Sequence, residues 1–170
     1  MTRLPFDMVL DQLGILRALT EYEPTVIGTP PLGIDIESSD IDIACTAADL
    51  NQFKSVVTKQ FRQRKDFIIR ALQQFDEPAV CATFSSSEWE IELFCQAIPI
   101  CEQWGVRHFL VEKRLLELRP SLRDKVIELK QSGLKTEPAF ATLLKLEGDP
   151  YEAMLDLEKL SDEELAALAH

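Results

Sequence analysis

The chain reads as an α+β protein, with a small mixed β-sheet in its first part and helices running from there to the end. Three observations predict this. "SDIDIAC" and "EWEIELFC" alternate apolar with acidic residues, the period of a strand with one dry and one wet face. "FIIRALQQF" and "AVCATFS" are β-branched and aromatic runs separated by "DEP" and "SSS". After Pro99, apolar positions recur every three or four residues, as on a helix face. A length of 170 residues at 46% hydrophobic composition is enough for one domain with its own core. The reading is a single domain over 1–170, a sheet-containing core in 1–98 and a helical part in 99–170 packed on it.

The elements follow in order. Phe6, Val9, Leu10, Leu13, Leu16 and Leu19 form one helical stripe, which predicts a helix ending by about Tyr22, before Pro24. "TVIGT" is a short strand stopped by Gly28 and the Pro30-Pro31 pair, "PPLGIDIES" a connecting loop, and "SDIDIAC" the next strand. Thr46, with Asp49 three residues on, suggests a capping box for a helix that turns Leu50, Phe53, Val57 and Phe61 inward. The three further strands come next; in the last, Trp89, Ile91 and Leu93 share one face and Glu88, Glu90 and Glu92 the other. Trp104, Leu110, Val111, Leu115 and Leu118 line a helix, and Pro120 opens another that Gly133 ends. Asp149-Pro150 is an N-cap with proline at the first turn, and Ser161 with Glu164 is a capping box. No internal repeat or low-complexity stretch interrupts this order.

Composition excludes several classes. A net charge of −11 opposes long nucleic acid as a general partner. No apolar run reaches the length of a membrane span, and "MTRLPFDMVL" lacks the regions of a signal peptide, so a cytoplasmic protein is expected. Cys45, Cys81, Cys95 and Cys101 sit in apolar strings at spacings that match no zinc motif, and read as reduced core thiols. The charge is unevenly spread. Residues 54–70 carry six bases and one acid, and residues 147–164 carry eight acids against Lys159 alone. Both runs read as solvated helix faces, the basic one alternatively as a surface for polyphosphate. His108 and Glu112, one helical turn apart beside Arg107, read as a salt-bridged surface or as a phosphate contact. No zincin motif, P-loop or Ser/His/Asp triad is present.

The acids of the two alternating strands carry the chemistry. Asp40 and Asp42 point one way from their strand, and Glu90 and Glu92 do so from theirs. If the strands are neighbours, their carboxylates converge, at a cost in repulsion that a bound cation would remove. Hard oxygen donors select Mg²⁺ or Mn²⁺, held together with the phosphates of a substrate. Gly28-Thr29 ends a strand upstream, where a glycine admits close approach of a phosphate.

Apolar-Gly-Thr, a spacer, Asp-apolar-Asp-apolar and a later strand carboxylate resemble the nucleotidyltransferase superfamily typified by DNA polymerase beta. That family has Gly or Ser after the glycine; Thr29 keeps the hydroxyl. "GTPPLGIDIESSDIDI", "IELFCQAIP", "RHFLVEKRLLE" and "LKTEPAFATLLKLEGDPYEAML" together resemble a bacterial family catalogued as domain of unknown function 4269, over nearly the whole chain. The resemblance implies a nucleotidyltransferase-type sheet, with Asp40, Asp42 and Glu92 as metal-binding and catalytic acids. Glu90 stands in reserve, because the family's carboxylate before apolar-Phe aligns with Glu92. It implies that Gly28, Thr29 and Ser39 bind the nucleotide. The implied reaction moves a nucleoside monophosphate from an NTP (ATP among them) to an acceptor hydroxyl, with Mg²⁺ or Mn²⁺ and release of pyrophosphate. The acceptor is a small molecule, a short nucleotide or a protein. The alternatives are a non-catalytic nucleotide- or partner-binding regulatory protein on the same fold, and a metal-dependent phosphohydrolase.

Overall fold

The computed structural model describes residues 3–73 and 77–168 and is of mixed α+β architecture. The chain divides into two compact units, residues 1–28 with 39–103 and residues 29–38 with 104–170.

The first unit is built on one five-stranded sheet. Its strands are β1 (Thr25–Ile27), β2 (Ile41–Thr46), β3 (Lys65–Leu72), β4 (Ala79–Ser86) and β5 (Trp89–Gln96), in the spatial order β1-β2-β5-β4-β3. Only the β2–β5 pair is parallel, which makes the sheet mixed as expected. Ile41, Ile43 and Cys45 of β2, Ile91, Leu93 and Cys95 of β5, and Val80, Ala82 and Phe84 of β4 turn to one face and are buried. Helix α1 (Phe6–Leu13) and α3 (Leu50–Phe61) cover that face, α3 through Phe53, Val57 and Phe61. The Phe61 and Phe84 rings stack with centroids 5.2 Å apart. The acidic positions of β2 and β5 fall on the opposite face.

Three local expectations are corrected here. The single helix to Tyr22 breaks at Gly14, whose left-handed φ of +62° ends α1; a short helix α2 (Ile15–Ala18) and a 3₁₀ turn (Thr20–Tyr22) follow. The apolar stripe survives the break, so periodicity alone does not reveal it. Thr46 is the last residue of β2 and donates its hydroxyl to the Ile98 carbonyl at 2.7 Å. Asp49 itself is the N-cap of α3 and accepts from the Asn51 and Gln52 amides. Cys45, Cys81 and Cys95 are buried free thiols, but Cys101 is exposed, because it sits in a 3₁₀ turn after the sheet has ended. Gln74 and Phe75, read as the end of a strand, lie outside the described residues.

The second unit is helical: α4 (Trp104–Leu118), α5 (Leu122–Gln131), α6 (Thr136–Leu144), α7 (Pro150–Asp156) and α8 (Asp162–Ala167). Val111, Leu115, Leu122, Val126, Phe140, Met154 and Leu165 form its core together with Leu32 and Ile34. The segment 29–38 is held by α5, where Lys130 donates to the Ile34 carbonyl at 2.9 Å and Arg123 to that of Leu32. Asp149 caps α7 and the Ser161–Glu164 capping box opens α8, both as the sequence indicates. Gly133, at φ +105°, lies just past the end of α5.

His108 and Glu112 are buried, not on a surface. His108 Nε2 lies 2.9 Å from the Tyr151 carbonyl, and burial pushes the Glu112 carboxyl well up, with Glu137 adding and Lys130 opposing. Trp104 and Leu110, read as lining residues, are 53% and 46% exposed. The acidic run is partly neutralised: Glu158 pairs with Arg107 at 2.6 Å and Asp162 with Arg114 at 2.6 Å. No helix among the described residues is long and apolar enough to cross a membrane.

Candidate functional site

The two acid-bearing strands are neighbours. β2 and β5 run side by side in parallel, with Ile41 opposite Ile91, Asp42 opposite Glu92 and Ile43 opposite Leu93. In a parallel ladder paired residues point to the same face, so Asp42 and Glu92 stand next to each other on the face away from the core. Asp40 immediately precedes β2, and Glu90 lies two residues before Glu92. Four acids are thereby drawn to one end of two adjacent strands.

Burial separates them. Asp40, Asp42 and Glu92 are partly buried, whereas Glu90 is exposed. Burial pushes the Glu92 carboxyl up, and the charges of Asp40 and Glu90 push it further. A hydrogen bond from Cys81 and the charge of Arg70 oppose the rise. The sheet thus tolerates a carboxylate whose charged form is penalised by burial and by its acidic neighbours, a pattern found at sites shaped by chemistry rather than by stability.

Gly28 completes the geometry of this unit. Ile27 pairs with Asp42, and Gly28 follows with φ +75°. A Cβ built on Gly28 would run into Asp42 Oδ2 and come within 3.2 Å of its Cγ. The missing side chain is therefore the space in which the Asp42 carboxylate sits. Ser39 is partly buried, and its carbonyl accepts from Arg3. Thr29 is buried, opens the second unit, and accepts at its carbonyl from the Leu32 and Ile34 amides, both at 3.2 Å.

Of the basic run, Arg70 in β3 acts on Glu92 by its charge, while the bases of α3 lie elsewhere. Lys54, Lys59 and Arg62 line a shallow depression with Asn51, Ser55 and Thr58 on the outer side of α3. That helix packs on the core face of the sheet, the face opposite to Asp42 and Glu92. These bases are a solvated helix face and do not adjoin the acids.

Among the described residues, no three carboxylate, thiol or imidazole side chains are gathered closely enough to cage a metal ion as they stand. The donor set nevertheless fits a hard divalent cation. It consists of carboxylate oxygens, those of Glu92 raised by burial and by its acidic neighbours, with Asp42 seated in a cradle that only glycine leaves open.

A family profile described as Domain of unknown function (DUF4269) matches residues 8–157. The chain belongs to that family. No curated protein matches its sequence. Among solved structures, two of Cid1 poly(U) polymerase align with it. One does so at 15% identity and TM-score 0.58, over 84% of this chain and 48% of the other. The second, with MgGTP bound, aligns at 13% and 0.57 over 88% and 47%. A cytoplasmic RNA terminal U-transferase aligns at 16% and 0.52, over 85% and 42%. At these identities the likeness is one of fold, and this DUF4269 chain spans about half the length of the structures it matches. The fold is nucleotidyltransferase-like.

Proposed function

We propose that this DUF4269 protein is a nucleotidyltransferase that binds an NTP with Mg²⁺ or Mn²⁺, transfers the NMP group to an acceptor hydroxyl and releases pyrophosphate. One observation carries the reading: the parallel β2–β5 register sets Asp42 beside Glu92 while Gly28 leaves room for the Asp42 carboxylate. Asp40, Asp42 and Glu92 would hold the cation. A bound divalent ion supplies charge neutralisation at the phosphates and at the leaving pyrophosphate.

The residues of the chain do the rest. Asp40 and Asp42 place fixed negative charge at one end of β2, which excludes a bare triphosphate and selects the metal-loaded one. Glu92, already pushed up by burial and by Asp40 and Glu90, is the group best poised to accept the proton of the acceptor hydroxyl at its carboxylate. Gly28 leaves room for the Asp42 carboxylate, and Ser39, next to Asp40 in the chain, is a hydroxyl that the family resemblance assigns to the nucleotide. Thr29, next in the chain to Gly28, is the other.

A nucleotide-binding module without catalysis is the second reading. It rests on the likeness to the solved polymerase structures being one of fold alone, at 13–16% identity. Product analysis separates the readings. The protein is incubated with each of the four NTPs, Mg²⁺ or Mn²⁺, and small hydroxyl acceptors, and the released phosphate species are resolved. Pyrophosphate supports nucleotidyl transfer. Orthophosphate alone indicates a phosphohydrolase, and metal-dependent binding with no product indicates the binding module.

A further inference from the structure

The strand registers extend the row that holds Asp42 and Glu92. Thr83 of β4 lies opposite Glu92, and Ile68 of β3 lies opposite Thr83. Paired residues share a face, so Asp42, Glu92, Thr83 and Ile68 form one row across four strands, on the face away from the core. Phe67 and Ile69, the chain neighbours of Ile68, pack on the core side, which fixes the sidedness of β3. Ile68 is a large aliphatic residue left 53% exposed. Arg70, two residues on, is on the same face in the next row, opposite Cys81. It is exposed, and none of the ion pairs among the described residues includes it. Lys65, at the start of β3, lies instead 3.9 Å from Asp66. Across the face, then, acids on β2 and β5 give way to a hydroxyl on β4 and to an aliphatic group and a guanidinium on β3.

We propose that the β4–β3 end of this face is the acceptor subsite, and that it takes a small hydroxyl compound bearing a phosphate group. Arg70 binds the phosphate, Thr83 and Ile68 contact the body of the molecule, and its hydroxyl lies at Glu92. This rests on the nucleotidyl-transfer reading and deepens it. The acceptor oxygen bonds to the α-phosphorus of the NTP as the bridging bond to the β-phosphate breaks. The hydroxyl proton passes to Glu92, and the electron pair of the broken bond leaves on pyrophosphate.

Charge, span and size select this occupant. The acids of β2 and β5 repel an anionic group on the acceptor, whereas the planar guanidinium of Arg70 suits a phosphate, to which it can donate two parallel bonds. With strands about 4.8 Å apart and residues about 3.4 Å apart along them, the Arg70 backbone lies about 12 Å from that of Glu92. The arginine side chain spans much of that distance, which leaves a compound of a few carbons between guanidinium and carboxylate. The net charge of −11 opposes a long polyanion, but one phosphate is met by one arginine.

The test uses the full chain saturated with Mg²⁺ and a non-hydrolysable NTP analogue, the analogue's own binding being established first by calorimetry. Glycerol 3-phosphate and glycerol are then titrated into wild type, Arg70→Met, Arg70→Lys and Lys59→Met, the last a base of α3 on the other side of the sheet. Glycerol 3-phosphate should bind wild type and Lys59→Met at least about tenfold more tightly than glycerol. Arg70→Met should lose that preference, and Arg70→Lys, which keeps the charge without the fork, should retain part of it. Equal affinity for the two compounds in wild type, or an undiminished preference in Arg70→Met, overturns the proposal and leaves nucleotidyl transfer standing. Failure of every NTP analogue to bind in Mg²⁺ overturns the nucleotidyl-transfer reading and this inference with it. A second readout needs no substitution in the protein observed. The Arg70 Nε–H resonance, assigned by its loss in Arg70→Lys, should move saturably with glycerol 3-phosphate and stay in place with glycerol. An unmoved resonance overturns the proposal.

Discussion

Gly28→Ala separates the geometry of the acid cluster from generic glycine effects. Gly28 has φ +75°, a left-handed conformation that costs an alanine roughly 1–2 kcal/mol. Its new Cβ would also run into Asp42 Oδ2 and sit 3.2 Å from Cγ and 3.4 Å from Cβ of the same side chain, so the Asp42 carboxylate must swing away. Gly14→Ala is the control: φ there is +62° and nothing lies within 4 Å of the added Cβ, so it carries the backbone strain alone. Urea denaturation should show Gly28→Ala losing the larger amount, about 2–3 kcal/mol against about 1 kcal/mol for Gly14→Ala. A ligand present at a hundred times its Kd adds about 2.7 kcal/mol. In Mg²⁺ and NTP, Gly14→Ala should keep that increment and Gly28→Ala should lose most of it. In an Asp42→Ala background the clash partner is gone, and the cost of Gly28→Ala should fall to that of Gly14→Ala. Equal costs for the two glycines, with the ligand increment intact in both, would refute the claim that Gly28 is empty to seat Asp42.

Further outcomes follow from the same structure. Asp42→Asn should melt above wild type in EDTA by the equivalent of about 0.5–2 kcal/mol, because it relieves repulsion with Glu92 and Asp40, and should lose the stabilisation by Mg²⁺ with NTP. Asp49→Asn, at the N-cap of α3 where asparagine serves as well as aspartate, should change neither property. Arg107→Ala removes the pair with Glu158, whose side chains are about one-third exposed, and should cost about 0.5–1 kcal/mol by urea denaturation, less in high salt. Of the four cysteines in the sequence, only Cys101 should react promptly with a thiol reagent at mild alkaline pH, since Cys45, Cys81 and Cys95 are buried. Burial lifts Cys95 from 9.0 to about 12, so the stability it contributes is complete below pH 9 and is lost as pH rises toward 12. Urea midpoints should fall over that range, and Cys95→Val should flatten the fall.

The acid cluster was legible because period-2 alternation fixes which side chains share a face, and the alternating segments around Asp42 and Glu92 needed only adjacency to meet. Adjacency itself was not legible, since β5 reaches β2 across two intervening strands. The break at Gly14 was hidden because Leu13, Leu16 and Leu19 keep helical spacing through it. His108 and Glu112 resemble a surface pair by spacing; they are buried because Tyr151, Glu137 and Lys130, far away in sequence, supply their polar neighbours. The 29–38 segment reads as a plain loop, and its place in the helical unit depends on Arg123 and Lys130, some ninety residues later, reaching its carbonyls. Cys81 looks like any core thiol until the β4–β5 register places it diagonal to Glu92.

The central claim is that Asp40, Asp42 and Glu92 hold a divalent cation that lets the protein take an NTP. Its most direct test is isothermal titration of an NTP into wild type, Asp42→Asn and Glu92→Gln, each in Mg²⁺ and in EDTA. The account predicts binding by wild type in Mg²⁺ alone, with the signal lost in EDTA and lost or sharply weakened in both variants. Binding of equal strength with and without Mg²⁺, or unchanged in Asp42→Asn and Glu92→Gln, would contradict it.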